Sequence, residues 1–372
     1  MSCTVNVLPN LDFNSLQADE KRLIERITFE KTFDVSTLNL SAVEQKIYDQ
    51  NPHLREVFVN KRPFIVSKEP FNGKNRFLSS IHGRLKESSL KLTPGQVHTV
   101  DHWGRRKLIM AYIDFLTEYG QNANTLVVSA GAAPGGHWNY LSKLFPHLSF
   151  DLIDSAEFAV SATDRIHLRQ ELFNDMLAHE YAPIAKTRPV LFECDIRTQF
   201  TGSWDEFDEG VKRDMDDQMR WHLIIKPQAS MLKFRLPFEQ GSTTYLKGEL
   251  KLQLWAPRRG TECRLIVDRR DEMQMYDHQE LDAAMAHFKN IERTTYYPHD
   301  MDDAEGIDHC YDCRAELFVL EQYVRQIEKN NQDEEVRERV KQLSKDISCN
   351  IQQTLRPPII DTPRTLAIIP KK

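Results

Sequence analysis

Residues 126–137, Leu-Val-Val-Ser-Ala-Gly-Ala-Ala-Pro-Gly-Gly-His, read as a buried strand running into a glycine turn, with Trp138, Tyr140, Leu141 and Leu144 at helical spacing beyond it. Gly131, Gly135 and Gly136 carry no Cβ, so the backbone can bend sharply and approach a ligand, while the following helix N-terminus offers unpaired N–H donors. The spacing is neither Gly-x-Gly-x-x-Gly nor Gly-Lys-Ser/Thr, which sets aside the dinucleotide fingerprint and the Walker loop. The next apolar segment, Phe150-Asp-Leu-Ile-Asp154, ends in an acid roughly 20 residues past the glycines, the usual place for a carboxylate that binds ribose hydroxyls. A glycine-rich turn of any α/β protein and a surface aspartate at a strand end are the plainer readings of the same residues.

Stepping outward along the chain, an apolar stripe of Leu108, Ala111, Tyr112, Phe115 and Leu116 predicts a helix over 104–119, ended by Gly120. Strand and helix then alternate: 125–130, 137–145, 150–154, a helix near 164–180, and a strand at 189–194 closed by Asp195. Alternation of this kind implies a doubly wound, mostly parallel sheet. A helix over 206–220, strand-like segments at 221–225 and 229–235, and two late strands at 248–255 and 262–268 suggest an antiparallel hairpin at the sheet edge. Helices follow at 277–289 and 311–329. Residues 1–100 read as an extension packed on the core, with helical stretches near 17–31 and 41–58 and extended apolar pieces at 57–59 and 63–66. Residues 101–328 form the main domain. Residues 329–372 are a charged helix, with Val336, Val340, Leu343 and Ile347 at heptad-like spacing, and a loose arm; a partner-binding helix is the alternative for this tail.

With 372 residues and a net charge of −6, the chain is not coated with basic residues, so any nucleic-acid contact must be local. Basic clusters at 105–107, 226–235, 258–259, 264 and 269–270 could track phosphates, and ordinary surface charge is the reading for any one of them alone. No apolar stretch approaches 18 residues and no signal-peptide pattern is present, so a cytoplasmic location with no membrane partner is expected. Six cysteines are scattered, and only Cys310 and Cys313 pair closely. Without a second ligand pair these read as reduced thiols near a helix start, and no metal site is expected.

The turn Gly131-Ala132-Ala133-Pro134-Gly135-Gly136 resembles the Gly-x-Ala-Pro-Gly-Gly motif of RNA 2′-O-methyltransferases, which holds the methionine end of S-adenosylmethionine. Methylating a ribose hydroxyl requires in-line approach and a base for a weakly acidic alcohol, and lysine serves when burial and nearby cations lower its pKa. Those enzymes use a Lys, Asp, Lys, Glu tetrad; Lys107, Asp195, Lys233 and Glu262 stand here in that order. With their flanks, over residues 104–325, they resemble most closely the poxvirus-type cap-specific mRNA 2′-O-methyltransferase family, whose members also serve as the small subunit of the viral poly(A) polymerase.

The resemblance implies a Rossmann-like α/β methyltransferase fold, S-adenosylmethionine as cofactor, and conversion of cap 0 to cap 1 on the first transcribed nucleotide. Lys233 would be the general base, with Asp195 and Lys107 orienting its amine and Glu262 completing the network. Cofactor contacts would come from Gly131, Ala133, Pro134, Gly135, Gly136, His137, Asp154, Phe173, Asn174, Asp195 and Arg197. The family's arginine two residues past the ribose acid is Ala156 here. On the cap side, Phe238 would stack on 7-methylguanine and Glu280 would read the base edge; Gln240 stands where the family has a second acid, and Arg235 lies on the RNA side. Capped mRNA and a poly(A) polymerase catalytic subunit, or other capping or transcription proteins, are the implied partners, with the host cytoplasm or virion as the location. A non-catalytic RNA-binding or polymerase-processivity subunit and a ribosomal-RNA 2′-O-methyltransferase are the rival readings.

Overall fold

The computed structural model describes residues 39–51, 54–59, 64–80, 104–197, 204–235, 240–256, 262–268, 271–304 and 306–354, with strand segments at 2–3, 33–34, 97–99 and 368–370. A seven-stranded sheet runs in the order β3 (Ile166–Arg169), β2 (Ser149–Ile153), β1 (Leu126–Ala130), β4 (Val190–Cys194), β5 (Ala229–Phe234), β8 (Cys263–Asp268), β7 (Glu249–Lys251). β8 is antiparallel to both its neighbours, and every other adjacent pair is parallel. Every residue of β1 and β4 is buried, as central strands covered on both faces must be.

The helices fall into two packed groups. The first holds α2 (Gly104–Tyr119), α3 (Trp138–Leu144), α7 (Tyr311–Gln326) and α8 (Asp333–Thr354), and the second pairs α4 (Asp175–Ala185) with α5 (Trp204–Ile225). The chain steps outward from β1 through β2 to β3, then returns to β4 on the other side of β1. Because crossovers are right-handed, that reversal moves the helices to the opposite face and opens a crevice at the C-terminal ends of β1 and β4. The result is the expected Rossmann-like α/β sheet with an antiparallel edge. Beside it, α1 (Ala42–Gln50) is capped by Ser41, and a two-stranded ribbon of β6 (Ser242–Leu246) and β9 (Met273–Asp277) leads into α6 (His278–Asn290).

Several expectations are corrected. The helix near 164–180 is instead β3 followed by α4: pairing of Ile166 with Phe150 and Leu168 with Leu152 draws 166–169 into the sheet, and Asn174 caps the helix that starts at Asp175. Residues 221–225 are the last turn of α5, where Trp221, His222 and Ile225 continue the buried stripe of Val211, Asp214, Met215 and Gln218. The strand at 248–255 shrinks to 249–251, because the chain then bends to Trp255, whose φ is +59°. Val57 and Phe58 lie in a short helix, Arg55–Val59, rather than an extended piece. The β6–β9 ribbon carried no sequence signal that was recognised. The helix near 17–31 lies outside the described residues.

Candidate active site

Gly131 and Gly135 have φ of +85° and +68°, conformations that favour glycine. A Cβ on Gly131 would stand 2.8 Å from the Ile196 nitrogen, and one on Gly135 would meet Ala132 O and Trp138 Cδ1 at 2.8 Å. The glycines are thus demanded first by the turn's own packing, before any ligand. Asp154, at the end of β2, accepts Ala133 N–H at 3.0 Å through one carboxylate oxygen and Ala156 N–H at 2.8 Å through the other, so the acid braces the turn and stands at its rim. Pro134 O accepts from Ala159 N–H at 2.7 Å. Burial lowers the pKa of His137 to about 4, which keeps it neutral; its ring stacks on Tyr112, and its Nε2 has no partner among the described residues. A hollow of about 460 Å³ between α3 and α8 is lined by Gly136, Tyr140, Lys143, Asp346 and Cys349.

The four acid and lysine side chains meet beside this turn. Asp195 follows β4, and Lys233 lies near the end of β5, directly across from Arg264 of β8. Lys107 comes from α2, and Glu262 precedes β8. Lys233 Nζ lies 3.0 Å from Asp195 Oδ1 and 3.7 Å from Glu262 Oε2, and Lys107 Nζ lies 3.3 Å from Glu262 Oε1. Arg197 donates to Glu262 Oε2 at 3.4 Å, and Arg264 donates to Asp195 Oδ1 at 2.7 Å. Gln253 donates to Glu262 Oε1 at 3.1 Å.

Electrostatics follow from this crowding. Burial would raise the Glu262 and Asp195 carboxyls, yet both are held below the usual range: Glu262 by Lys233, Lys107 and Arg264, Asp195 by Arg264 and Lys233. Lys107 is pulled down by burial, with the Arg264 and Lys233 charges acting the same way against Glu262 and Asp195. Behind Asp195, the fully buried Glu193 is pushed up to about 7 by burial and by the Asp195 charge, and Ser129 Oγ donates to it at 2.6 Å. Four cations, Lys107, Arg197, Lys233 and Arg264, thus surround the two ionised acids Asp195 and Glu262. Asp214 beside Arg197 offsets one of these charges, and the remaining positive surplus attracts an anionic chain.

Other expected site residues have visible structural duties. Phe173 packs within the core against Phe192 and Trp221, and Asn174 Oδ1 accepts Leu177 N–H as the cap of α4. Arg197 reaches the acids rather than the glycine turn, lying 3.4 Å from Glu262 and 3.6 Å from Asp214. Arg235 is held by Asp208 at 3.1 Å and stacks over Phe207. Gln240 and Glu280 are both exposed and sit at one end of the ribbon, where Gly241 O accepts from His278 N–H. Phe238 lies outside the described residues.

Sequence reading missed Glu193, Gln253 and the role of Arg264, which it placed among phosphate-tracking residues. Arg264 is 1% exposed and faces Asp195. Arg106, also placed in a basic patch, is fully buried and paired with Glu316 at 2.6 Å. A two-residue step along a strand returns to the same face, so Glu262 with Arg264, and Glu193 with Asp195, carried a signal for Arg264 and Glu193. Gln253 carried none. Cys310 caps α7, and both it and Cys313 are buried thiols outside any disulfide. With Asp308 they form one group of metal-ligating type, and His299, Asp302 and His309 form a second.

A crevice of this kind at the reversal point of a Rossmann-like sheet, lined by a glycine turn, paired lysines and paired acids, belongs to the ligand-binding α/β proteins. More narrowly, this chain belongs to the Poly A polymerase regulatory subunit family, whose profile matches residues 90–353. It is similar to the cap-specific mRNA (nucleoside-2′-O-)-methyltransferase of fowlpox virus (strain NVSL), with 28% identity over 180 residues, covering 44% of this chain. The match spans 57% of that relative's length. Among solved structures it resembles bluetongue virus VP4, described as a multifunctional RNA-capping production line, at TM-score 0.38 and 10% identity, over 73% of this chain and 43% of that one. A putative ribosomal RNA methyltransferase from Plasmodium falciparum matches at TM-score 0.30 and 11% identity, over 44% of this chain and 97% of that one. Among the described residues no helix is long and apolar enough to cross a membrane.

Proposed function

We propose that this chain transfers a methyl group from S-adenosylmethionine to the ribose 2′-hydroxyl of the first transcribed nucleotide of capped mRNA. The observation that carries the reading is the meeting of Lys107, Asp195, Lys233 and Glu262 within ion-pair distance beside the glycine turn. The cradle fits the cofactor: its turn excludes Cβ atoms, an acid stands at its rim, and the adjoining His137 nitrogen is buried without a partner among the described residues. When bound, S-adenosylmethionine supplies a sulfonium-activated methyl group. Lys233 Nζ takes the proton of the ribose hydroxyl, and Asp195 and Glu262 fix that amine in place. Lys107 shares Glu262 with it, and Arg264 shares Asp195, so the two acids and their other cations set where the amine stands. Burial pulls Lys107 down, which makes Lys107 the second candidate for the base.

On this reading Phe238, Gln240 and Glu280 meet the cap, Arg235 lies along the RNA, and the family membership supports a poly(A) polymerase catalytic subunit as partner. Residues 101–328 are the catalytic unit, with 1–100 and 329–372 as its extensions, acting in the cytoplasm or virion. The test is methyl transfer from labelled S-adenosylmethionine to capped and uncapped RNA. Label on the ribose of the first nucleotide of capped RNA alone, competed by a free 7-methylguanosine cap analogue, is the expected result. Equal labelling of uncapped RNA supports the ribosomal-RNA reading, and no labelling with intact RNA binding supports a non-catalytic subunit.

A further inference from the structure

At the opposite end of the strands, where β4 and β5 begin, a cavity of about 490 Å³ opens between the C-terminal ends of α4 and α5. Five residues of β4 separate it from Asp195, about 17 Å at the usual ~3.3 Å rise per residue, so it is distinct from the crevice above. Lys186, Arg188 and Lys226 line it, with Asp271 as the one carboxylate, leaving two positive charges in surplus.

Two details mark this as more than ordinary surface charge. Arg188 lines the cavity with its guanidinium anchored through NH2 on Ser149 Oγ at 2.5 Å. That anchor fixes the guanidinium plane in the wall of the cavity, a geometry suited to directional donation to an oxyanion. Lys226 follows α5 with φ +54°, in the left-handed position where glycine or asparagine ordinarily ends a helix. A lysine there works against its backbone preference, and its amine is exposed, 3.4 Å from a half-exposed Asp271, a pair too weak to explain its presence.

We infer that this cavity is a phosphate-binding site, separate from the proposed methyl-transfer centre and independent of that reading. Arg188 supplies the directional donor and Lys226 and Lys186 the flanking charge, the usual division of labour between guanidinium and ammonium around phosphate oxygens. The volume exceeds what a phosphate alone would fill, and Pro189 and Pro227 give the cavity apolar walls for an attached sugar or base. The phosphate comes on a free mononucleotide or in an RNA backbone.

Titration calorimetry of the full chain with inorganic phosphate, adenosine monophosphate and a short uncapped RNA, at one fixed salt concentration, tests the inference. Lys226→Gly is the main variant, because it removes the amine while relieving the backbone. It is expected to weaken binding at least about ten-fold with an unchanged or higher unfolding midpoint, and Arg188→Gln is expected to do the same for binding. Sensitivity of the monophosphate alone assigns a mononucleotide, sensitivity of RNA alone assigns the backbone, and sensitivity of both assigns the shared phosphate. If no probe binds, or if both variants bind every probe as the natural chain does, the site is overturned.

Discussion

Each lysine of the site answers to the acids around it. Lys233 touches Asp195 and Glu262, whereas among the described residues Lys107 pairs with Glu262 alone. Replacing Lys233 with methionine is expected to lower methyl transfer at least about 100-fold with S-adenosylmethionine affinity nearly unchanged, because a positioned base acts on the hydroxyl and does not hold the cofactor. Single-turnover rates beside calorimetry check this; retention of more than about a tenth of the rate would move the base role to Lys107. Glu193 yields a second expectation. Its pKa in the folded chain is about 7 against an ordinary 4.5, so its contribution to stability is fully present below the ordinary value and is lost as pH rises through about 7. Asp195 and Glu262 have the opposite sign and weaken the fold as pH falls. Urea unfolding from about pH 5 to pH 8 should therefore show a decline in the natural chain that Glu193→Gln flattens, and parallel curves would remove Glu193 as its source.

The elements that carry these side chains were legible to different degrees. α2 and β1 announce themselves through an apolar stripe and an apolar run, and the glycine turn through its spacing, so the sheet centre and the convergence of Lys107, Asp195, Lys233 and Glu262 followed from order along the chain and resemblance. β3 was hidden because four residues that alternate only weakly become a strand through pairing with β2, a tertiary effect that local propensity does not carry. The Trp255 turn was hidden for a related reason. Its N–H bonds Asp312 at 3.0 Å and its indole bonds Glu316 at 2.8 Å, partners more than 50 residues away in sequence. The glycine turn makes its own demand: Gly135→Ala should destabilise the chain by about 1–3 kcal/mol even without ligand, through the left-handed φ and the contacts its Cβ would make. Thermal unfolding measures it, and an unchanged midpoint would mean that the turn relaxes freely.

Across the whole molecule, one buried polar chain ties the edge of the sheet to the C-terminal helix. Arg106, the neighbour of Lys107, grips Glu316 of α7 through two donors and reaches Ser344 and Ser348 of α8. Glu316 in turn holds Trp255, and Asp312 holds Arg293. Breaking one member strands a buried charge, so Arg106→Met should cost about 3–5 kcal/mol in urea unfolding, while Arg106→Met with Glu316→Leu should recover part of that. The heptad residues of α8 are already spent on this chain: Val336, Val340, Leu343 and Ile347 are at most 2% exposed. Removing 333–372 uncovers side chains worth about 1.5–3 kcal/mol each, a total comparable with a typical domain's stability, so the shortened chain should lose its cooperative transition. Circular dichroism during heating checks that outcome.

The hollow shared by α3 and α8 also offers a means of watching the molecule at work. Of the described cysteines only Cys349 is exposed, and it lines that hollow together with Gly136. With Cys3 changed to serine, a thiol-reactive fluorophore would attach at Cys349 alone, across the gap from the back of the glycine turn. Its emission would then report, in real time and without radioactivity, each tightening of that turn around whatever it holds.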